Sequence, residues 1–309
     1  MCIRDRSNNF AGNLTIVKSQ GNATITNDDV ASLTIDDVTV TEGNNADTVD
    51  AVFTVTLTGS TTSGFTVDYI TSDNTATLAD SDYSAVTGTL TFAGTVSETQ
   101  TITVPVNGDS VLEGDEIFHV NLNTLSSNFS GNLSIADAQG DGTITNDDVA
   151  TLAINDITLV ETNSGTVSAV FNVALTGSTN TPFTVDYATA DNSATVADGD
   201  YVADTGTLNF AGAAGEVQTI TIAVNGDTTV ELDEAFLVDI SNLSNNFAGN
   251  LTIVKSQGNA TITNDDVATL AVNDITLVET DSGTVNAVFN VALTAVSYTH
   301  LTLPTILLV

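Results

Sequence analysis

A chain of 309 residues with 39 acids against 4 lysines and arginines, net −35, has nothing to neutralise phosphate, which excludes nucleic acid as a partner. Its 41% apolar content is too high for an acidic disordered tail, and Cys2, its single cysteine, excludes an internal disulfide framework. So much acid suits either solvation in salty water or the binding of cations.

In chain order, Met1–Arg6 matches nothing elsewhere in the sequence and has no apolar run behind it, unlike a signal peptide. Ser7–Ala31 then repeats Ser244–Ala268 residue for residue. Both copies contain Ile-Thr-Asn-Asp-Asp, which recurs with its asparagine at Asn27, Asn146 and Asn264, 119 and 118 residues apart. That spacing marks tandem domains rather than a solenoid, whose units run about 20–50 residues. A unit of this length is able to bury its own core. The expected organisation is a foreign head over 1–6, the C-terminal end of one unit over 7–29, and complete units over 32–148 and 151–266. The start of a further unit follows over 269–294, then a foreign tail over 295–309. Both foreign ends resemble translated sequencing-adapter read-through, so the chain reads as an internal slice of a longer repeat protein. Its final apolar run is shorter than the roughly 20 residues of a membrane helix, so no membrane insertion is expected in this slice.

Each complete unit reads as all-β. Ala51, Phe53, Val55 and Leu57 alternate with Val52, Thr54 and Thr56, a period of two with one face buried. The pattern predicts seven strands in the first unit: Ser32–Thr41, Thr48–Thr58, Phe65–Thr71, Thr87–Phe92, Thr99–Val106, Glu116–Asn123 and Gly140–Thr145. The second unit repeats the scheme. Seven strands in this length predict a two-sheet sandwich of immunoglobulin-like topology.

Strands that run up and down such a sandwich sort the acids by end. In the first unit Glu42, Asp47, Asp73, Asp80, Asp82, Asp109, Glu113, Asp115, Glu116, Asp147 and Asp148 fall at the end where the last strand leaves. The opposite loops hold Glu98 and Asp137, with Asp141 nearby. The second unit sorts alike, with Glu216 alone in its opposite loops. Like charges about 4 Å apart cost near 4 kcal/mol at an effective dielectric of 20, and hard divalent cations remove that cost. Clustered carboxylates with no cysteine or histidine among them favour Ca²⁺ over zinc or copper. Other acids read as structural: Asp73 and Asp191 as solvated or turn-forming, Asn107-Gly108 and Asn225-Gly226 as turn dipeptides or ligand positions. Tyr83 and Tyr201 read as packing residues and His119 as an ordinary surface residue. Two histidines supply no repeated His-based catalytic site, and 6% aromatics without tryptophan line no sugar groove, so catalysis is not expected.

The order of five blocks in the unit resembles the Calx-β domain, a calcium-binding β-sandwich of sodium–calcium exchangers, integrins and many large bacterial surface proteins. The blocks are Thr41–Gly43, Val67–Tyr83, Gly88–Phe92, Glu113–Phe118 and Thr143–Asp148. The resemblance implies metal ligands at Glu42, Asp82, Asp109, Glu113, Glu116, Asp147 and Asp148. Their counterparts are Glu161, Asp200, Asp227, Glu231, Glu234, Asp265 and Asp266. Gly108 and Gly226 stand where a paired aspartate can occur, and Asn146 and Asn264 replace the first of three closing aspartates, so fewer or weaker ions per unit are expected. The function implied is a calcium-binding structural array in an extracellular or cell-surface protein, with adhesive duties and cell-surface or matrix ligands, its ions stiffening the junctions between neighbouring repeats. The alternatives are a regulatory calcium sensor beside a membrane protein, as in the exchangers, and an acidic spacer without specific metal binding.

Overall fold

The computed structural model describes residues 17–297 except Ser19 and Ala46, so the expected foreign head and the tail beyond Ser297 lie outside the described residues. In the first unit the strands are β1 (Ala31–Ile35), β2 (Val38–Thr41), β3 (Thr48–Thr58), β4 (Phe65–Asp73), β5 (Thr87–Phe92) and β6 (Thr99–Asn107). After them come β7 (Val111–Leu112), β8 (Glu116–Leu125), β9 (Leu133–Ile135) and β10 (Gln139–Thr145). Two sheets form, ordered β6-β3-β1-β9 and β2-β10-β8-β4-β5. They face each other across a core built from the alternate residues that period-two patterning assigned inward: Ala51, Phe53, Val55 and Leu57 from β3, and Phe118, Val120 and Leu122 from β8. Tyr83 lies buried and stacks on Phe118 at 4.6 Å, the packing role expected of it.

The second unit repeats this with β11 (Ala150–Ile154), β12 (Ile157–Val160), β13 (Gly165–Thr176), β14 (Ser178–Thr179), β15 (Phe183–Ala190) and β16 (Thr205–Phe210). It continues through β17 (Val217–Gly226), β18 (Glu234–Ser241), β19 (Leu251–Lys255) and β20 (Gln257–Thr263). Its sheets are β17-β13-β11-β19 and β12-β20-β18-β15-β16. Beyond it β21 (Asp266–Val272) pairs antiparallel with β22 (Val291–Ser297), a ladder that runs from the expected further unit into the first three residues of the expected tail. Before Ala31 the described residues carry no strand and are exposed. Among the described residues no helix is long and apolar enough to cross a membrane.

The all-β sandwich is as expected, with one correction to the strand list. The first predicted strand, Ser32–Thr41, is two strands in different sheets: β1 pairs with β3, whereas β2 pairs with β10. Asp36 and Asp37 make the crossing. The Asp36 carboxylate accepts the Thr54 N–H and the Asp37 carboxylate accepts the Asp141 N–H at 2.8 Å, so each caps one sheet where the chain leaves for the other. Beyond the crossing, β2 carries the chain to Glu42 beside the exit of β10.

The two units meet through β7 and β14, which pair in parallel, Val111 opposite Ser178 and Leu112 opposite Thr179. Asn180 N–H donates to the Leu112 carbonyl at 3.2 Å. Leu112 is fully buried in the core of the second unit rather than its own. One residue, Val149, separates Asp148 from the start of β11.

Candidate metal centre

The topology delivers carboxylates to one end of each sandwich from four places. β2 supplies Glu42 at its exit, the β4–β5 loop Asp82, the β6–β8 connection Asp109, Glu113 and Glu116, and the exit of β10 Asp147 and Asp148. Asp82, Glu113 and Glu116 each place an oxygen within 4.8 Å of the others. In the second unit Asp200, Glu231 and Glu234 make the same group, and Glu161, Asp265 and Asp266 make another within the same limit. Glu42 and Glu161 are buried, as is Asp266.

Electrostatics bind the remaining residues to these groups. Glu42 is pushed up to about 8, first by burial and then by the charges of Glu113, Asp109, Asp148 and Asp147. Glu161 rises to about 7 by burial and by Glu231, Asp227, Asp266 and Asp265. Glu116 rises to about 8, by burial and by a hydrogen bond to Asp82, and Glu113 to about 7, by burial and then by Asp82, Asp109 and Asp80. Glu234 rises to about 7 by burial and by Asp200, and burial also raises Asp148 and Glu231. All fourteen sequence-predicted residues are thus in one or other of two electrostatically connected clusters, one per unit.

Several of these oxygens are buried with no hydrogen-bond donor: Asp148 Oδ2, Glu161 Oε1, Asp265 Oδ1 and Asp266 Oδ2. A buried charged oxygen without a donor costs several kcal/mol unless something else meets it. Crowded carboxylate oxygens, unmet by any lysine or arginine, are a donor set that fits a hard divalent cation.

Residues 26–156 and 145–274 each match the family model of the Calx-beta domain. The chain belongs to the Calx-beta family. Among solved structures, it resembles CBD12 from CALX1.2, at 21% identity over 75% of this chain and 99% of that one, with a TM-score of 0.33. It resembles CBD12 of CALX1.1 at 20% identity over 74% and 99%, TM-score 0.34, and the apo-form Calx CBD1 domain at 23% over 38% and 99%, TM-score 0.33. None of the curated proteins compared with the chain matches it significantly.

The places where these Calx-beta units depart from an all-aspartate pattern have a structural cause. Asn146 accepts the Glu113 N–H through Oδ1 at 3.2 Å and donates from Nδ2 to the Asp148 carbonyl at 3.0 Å. Asn264 makes the same two bonds, to Glu231 and Asp266. An aspartate is acceptor-only, so it keeps the first bond and loses the second. The asparagine therefore ties the loop that carries Glu113 to the strand exit that carries Asp147 and Asp148.

Gly108 and Gly226 serve close approach rather than turn conformation, since neither has a positive φ. A Cβ on Gly108 would collide with the Gly43 carbonyl, and one on Gly226 with that of Thr162. Asn107 ends β6 and Asn225 is the penultimate residue of β17, with side-chain amides donating to the Ser81 and Gly199 carbonyls. The turn reading of these dipeptides is thereby corrected.

Asp73 is turn-forming, as expected: its carboxylate accepts from Tyr83 Oη at 2.7 Å and from Leu78 N–H at 3.1 Å, and Asp191 does the same for Tyr201 and Val196. His119, expected as an ordinary surface residue, is partly exposed and has a partner. Its Nδ1 lies 2.8 Å from Asp141 Oδ1, the residue directly across the β8–β10 ladder. The sequence reading also missed Leu112, because a two-residue strand has no periodicity.

Proposed function

We propose that this chain is a calcium-binding tandem array in which each Calx-beta unit holds its ions at the acidic end and the ions stiffen the junction to the next unit. Glu42, Asp82, Asp109, Glu113, Glu116, Asp147 and Asp148 are the ligands in the first unit. Glu161, Asp200, Asp227, Glu231, Glu234, Asp265 and Asp266 are those in the second. The observation that carries this reading is the set of buried, donorless carboxylate oxygens on Asp148, Glu161, Asp265 and Asp266. Bound calcium supplies the positive charge that lets these oxygens remain ionised together. Asn146 holds two of the ligand-bearing segments at a fixed spacing. Leu112 joins the cluster to the second unit, because Glu113 is the next residue along the chain.

Such a junction suits a rod in an extracellular or cell-surface protein, where millimolar calcium keeps the clusters filled. A regulatory sensor is the second reading, favoured by that same adjacency, since occupancy at Glu113 is felt one residue away in the neighbouring core. Calorimetric titration separates the two: a millimolar dissociation constant fits the rod and a micromolar one fits the sensor.

The calcium reading itself is tested by thermal melts in EDTA, in CaCl₂ at about one hundred times the dissociation constant read by that titration, and in NaCl at matched ionic strength. An excess of one hundred times the dissociation constant stabilises by about 2.7 kcal/mol, so Ca²⁺ raises Tm well above NaCl. Equal melts in the two salts would leave only an acidic spacer. In Asp265→Asn/Asp266→Asn most of the second unit's shift disappears.

A further inference from the structure

We propose that Asn163 is a cation ligand of the second unit, a neutral oxygen donor beside Glu161, Asp265 and Asp266. The inference rests on the calcium reading above and adds to its carboxylates a ligand of a different chemical class. Asn163 lies two residues past Glu161, in the loop between β12 and β13. Its Nδ2 donates to Asp266 Oδ1 at 2.9 Å, across 103 residues of sequence. Glu161 and Asp266 are 7% and 4% exposed, and Glu161 Oε1, Asp265 Oδ1 and Asp266 Oδ2 have no donor. Glu161, Asp265 and Asp266 each place an oxygen within 4.8 Å of the others. The amide thus stands at the edge of a buried, donorless group and is bonded to one of its members.

A primary amide has two N–H donors at one end and a carbonyl acceptor at the other. Ca²⁺ takes asparagine carbonyls as readily as carboxylates into its loose coordination shell. Without a cation, the N–H end faces Asp266 and offsets part of the crowding of negative charge. A half-turn of the amide exchanges Nδ2 and Oδ1, and the carbonyl oxygen then faces the group. That oxygen adds coordination without the repulsion that a further carboxylate would bring. The first unit is built differently. Asn44 holds the corresponding place, but the loop from Glu42 to Thr48 is one residue longer than that from Glu161 to Thr166, and Asn44 is exposed. Among the described residues, Glu42, Asp147 and Asp148 do not gather as closely as Glu161, Asp265 and Asp266 do. The amide ligand belongs to the second unit alone.

The test is a calorimetric calcium titration of the full chain carrying Asp147→Asn/Asp148→Asn, which weakens the first unit's cluster so that the second unit's affinity is read. Asn163→Ala removes the oxygen, and affinity is expected to fall by about tenfold or more. Asn163→Asp separates a ligand from a residue that only orients Asp266. It keeps an oxygen but has no N–H, so a ligand role predicts affinity at least equal to the parent's. An orienting role predicts a loss as large as that of Asn163→Ala. Melts in EDTA read the metal-free bond: both variants fall below the parent, Asn163→Asp further, because it sets a like charge against Asp266. Asn163→Ala binding as tightly as the parent, or Asn163→Asp binding as weakly as Asn163→Ala, would overturn the proposal. So would unchanged melts of both variants in EDTA. Asn44→Ala, in the chain with Asp265→Asn/Asp266→Asn, leaves the first unit's affinity unchanged; a matching loss there would overturn the assignment to the second unit alone. Failure of the calcium reading looks different, since the unsubstituted chain then takes up no calcium, and this inference falls with it.

Discussion

At the scale of single residues, the acidic cluster makes an unusual demand on the metal-free protein. Glu42 and Glu116 are raised to about 8, and Glu113, Glu161 and Glu234 to about 7, against an ordinary value of 4.5. Between pH 4.5 and 8 the folded chain therefore holds protons that the unfolded chain has released, and stability falls as pH rises through that window. In EDTA, Tm is expected to be higher at pH 5.5 than at pH 8; a flat or opposite profile would show that these carboxylates ionise without cost. Saturating calcium reverses the profile, since the ions compete with those protons. Gly226 sets a second limit at this scale. Its missing Cβ makes room for the Thr162 carbonyl, so Gly226→Ala forces the two loops apart at a cost of about 1–3 kcal/mol. Gly226→Asp pays the same steric cost, and a lower Tm in EDTA than the parent chain's is the expected readout for both variants.

At the scale of the strand and loop, Leu112 couples the units. It sits in a loop of the first unit yet packs in the core of the second, so Leu112→Ala removes a buried side chain from a unit to which it does not belong in sequence. The expected loss is about 2–3 kcal/mol, near the low end for a buried Leu→Ala, because a two-residue ladder lifts away easily. Differential scanning calorimetry would place that loss in the second unit's transition, and a loss confined to the first unit would contradict the packing. The strands that bury one face, such as β3 with its alternating Ala51, Phe53, Val55 and Leu57, were legible in the sequence to the residue. So was the end at which the acids gather, because alternating strand direction alone sorts the loops. β7 was not legible, since its partner is 67 residues away in another unit and two residues carry no period. Nor was the break in the first strand. Asp36-Asp37 lies inside the run read as one strand, Ser32–Thr41, and only the bonds to Thr54 and Asp141 reveal the crossing between sheets. The role of Asn146 was hidden for the same reason: it rests on a hydrogen bond from Glu113, in a segment distant in sequence.

At the scale of the whole molecule, Ile-Thr-Asn-Asp-Asp occurs three times, and among the described residues two occurrences have the surroundings of a cation site. Asp147 and Asp148 face Glu42, and Asp265 and Asp266 face Glu161. Asp28 and Asp29 are exposed, and the only acid before them in the chain is Asp5. No loop equivalent to Asp109–Glu116 precedes them in this sequence, so their carboxylates remain solvated and an ion beside them gains little over water. The motif is then a marker of the site rather than the site, and the three copies separate the two meanings within one molecule. Asp28→Asn/Asp29→Asn is expected to leave the calcium-induced rise in Tm and the calorimetric stoichiometry unchanged, whereas Asp147→Asn/Asp148→Asn lowers both. Equal losses from the two double variants would mean that the aspartate pair binds by itself, and that the carboxylates gathered from the other loops contribute only charge.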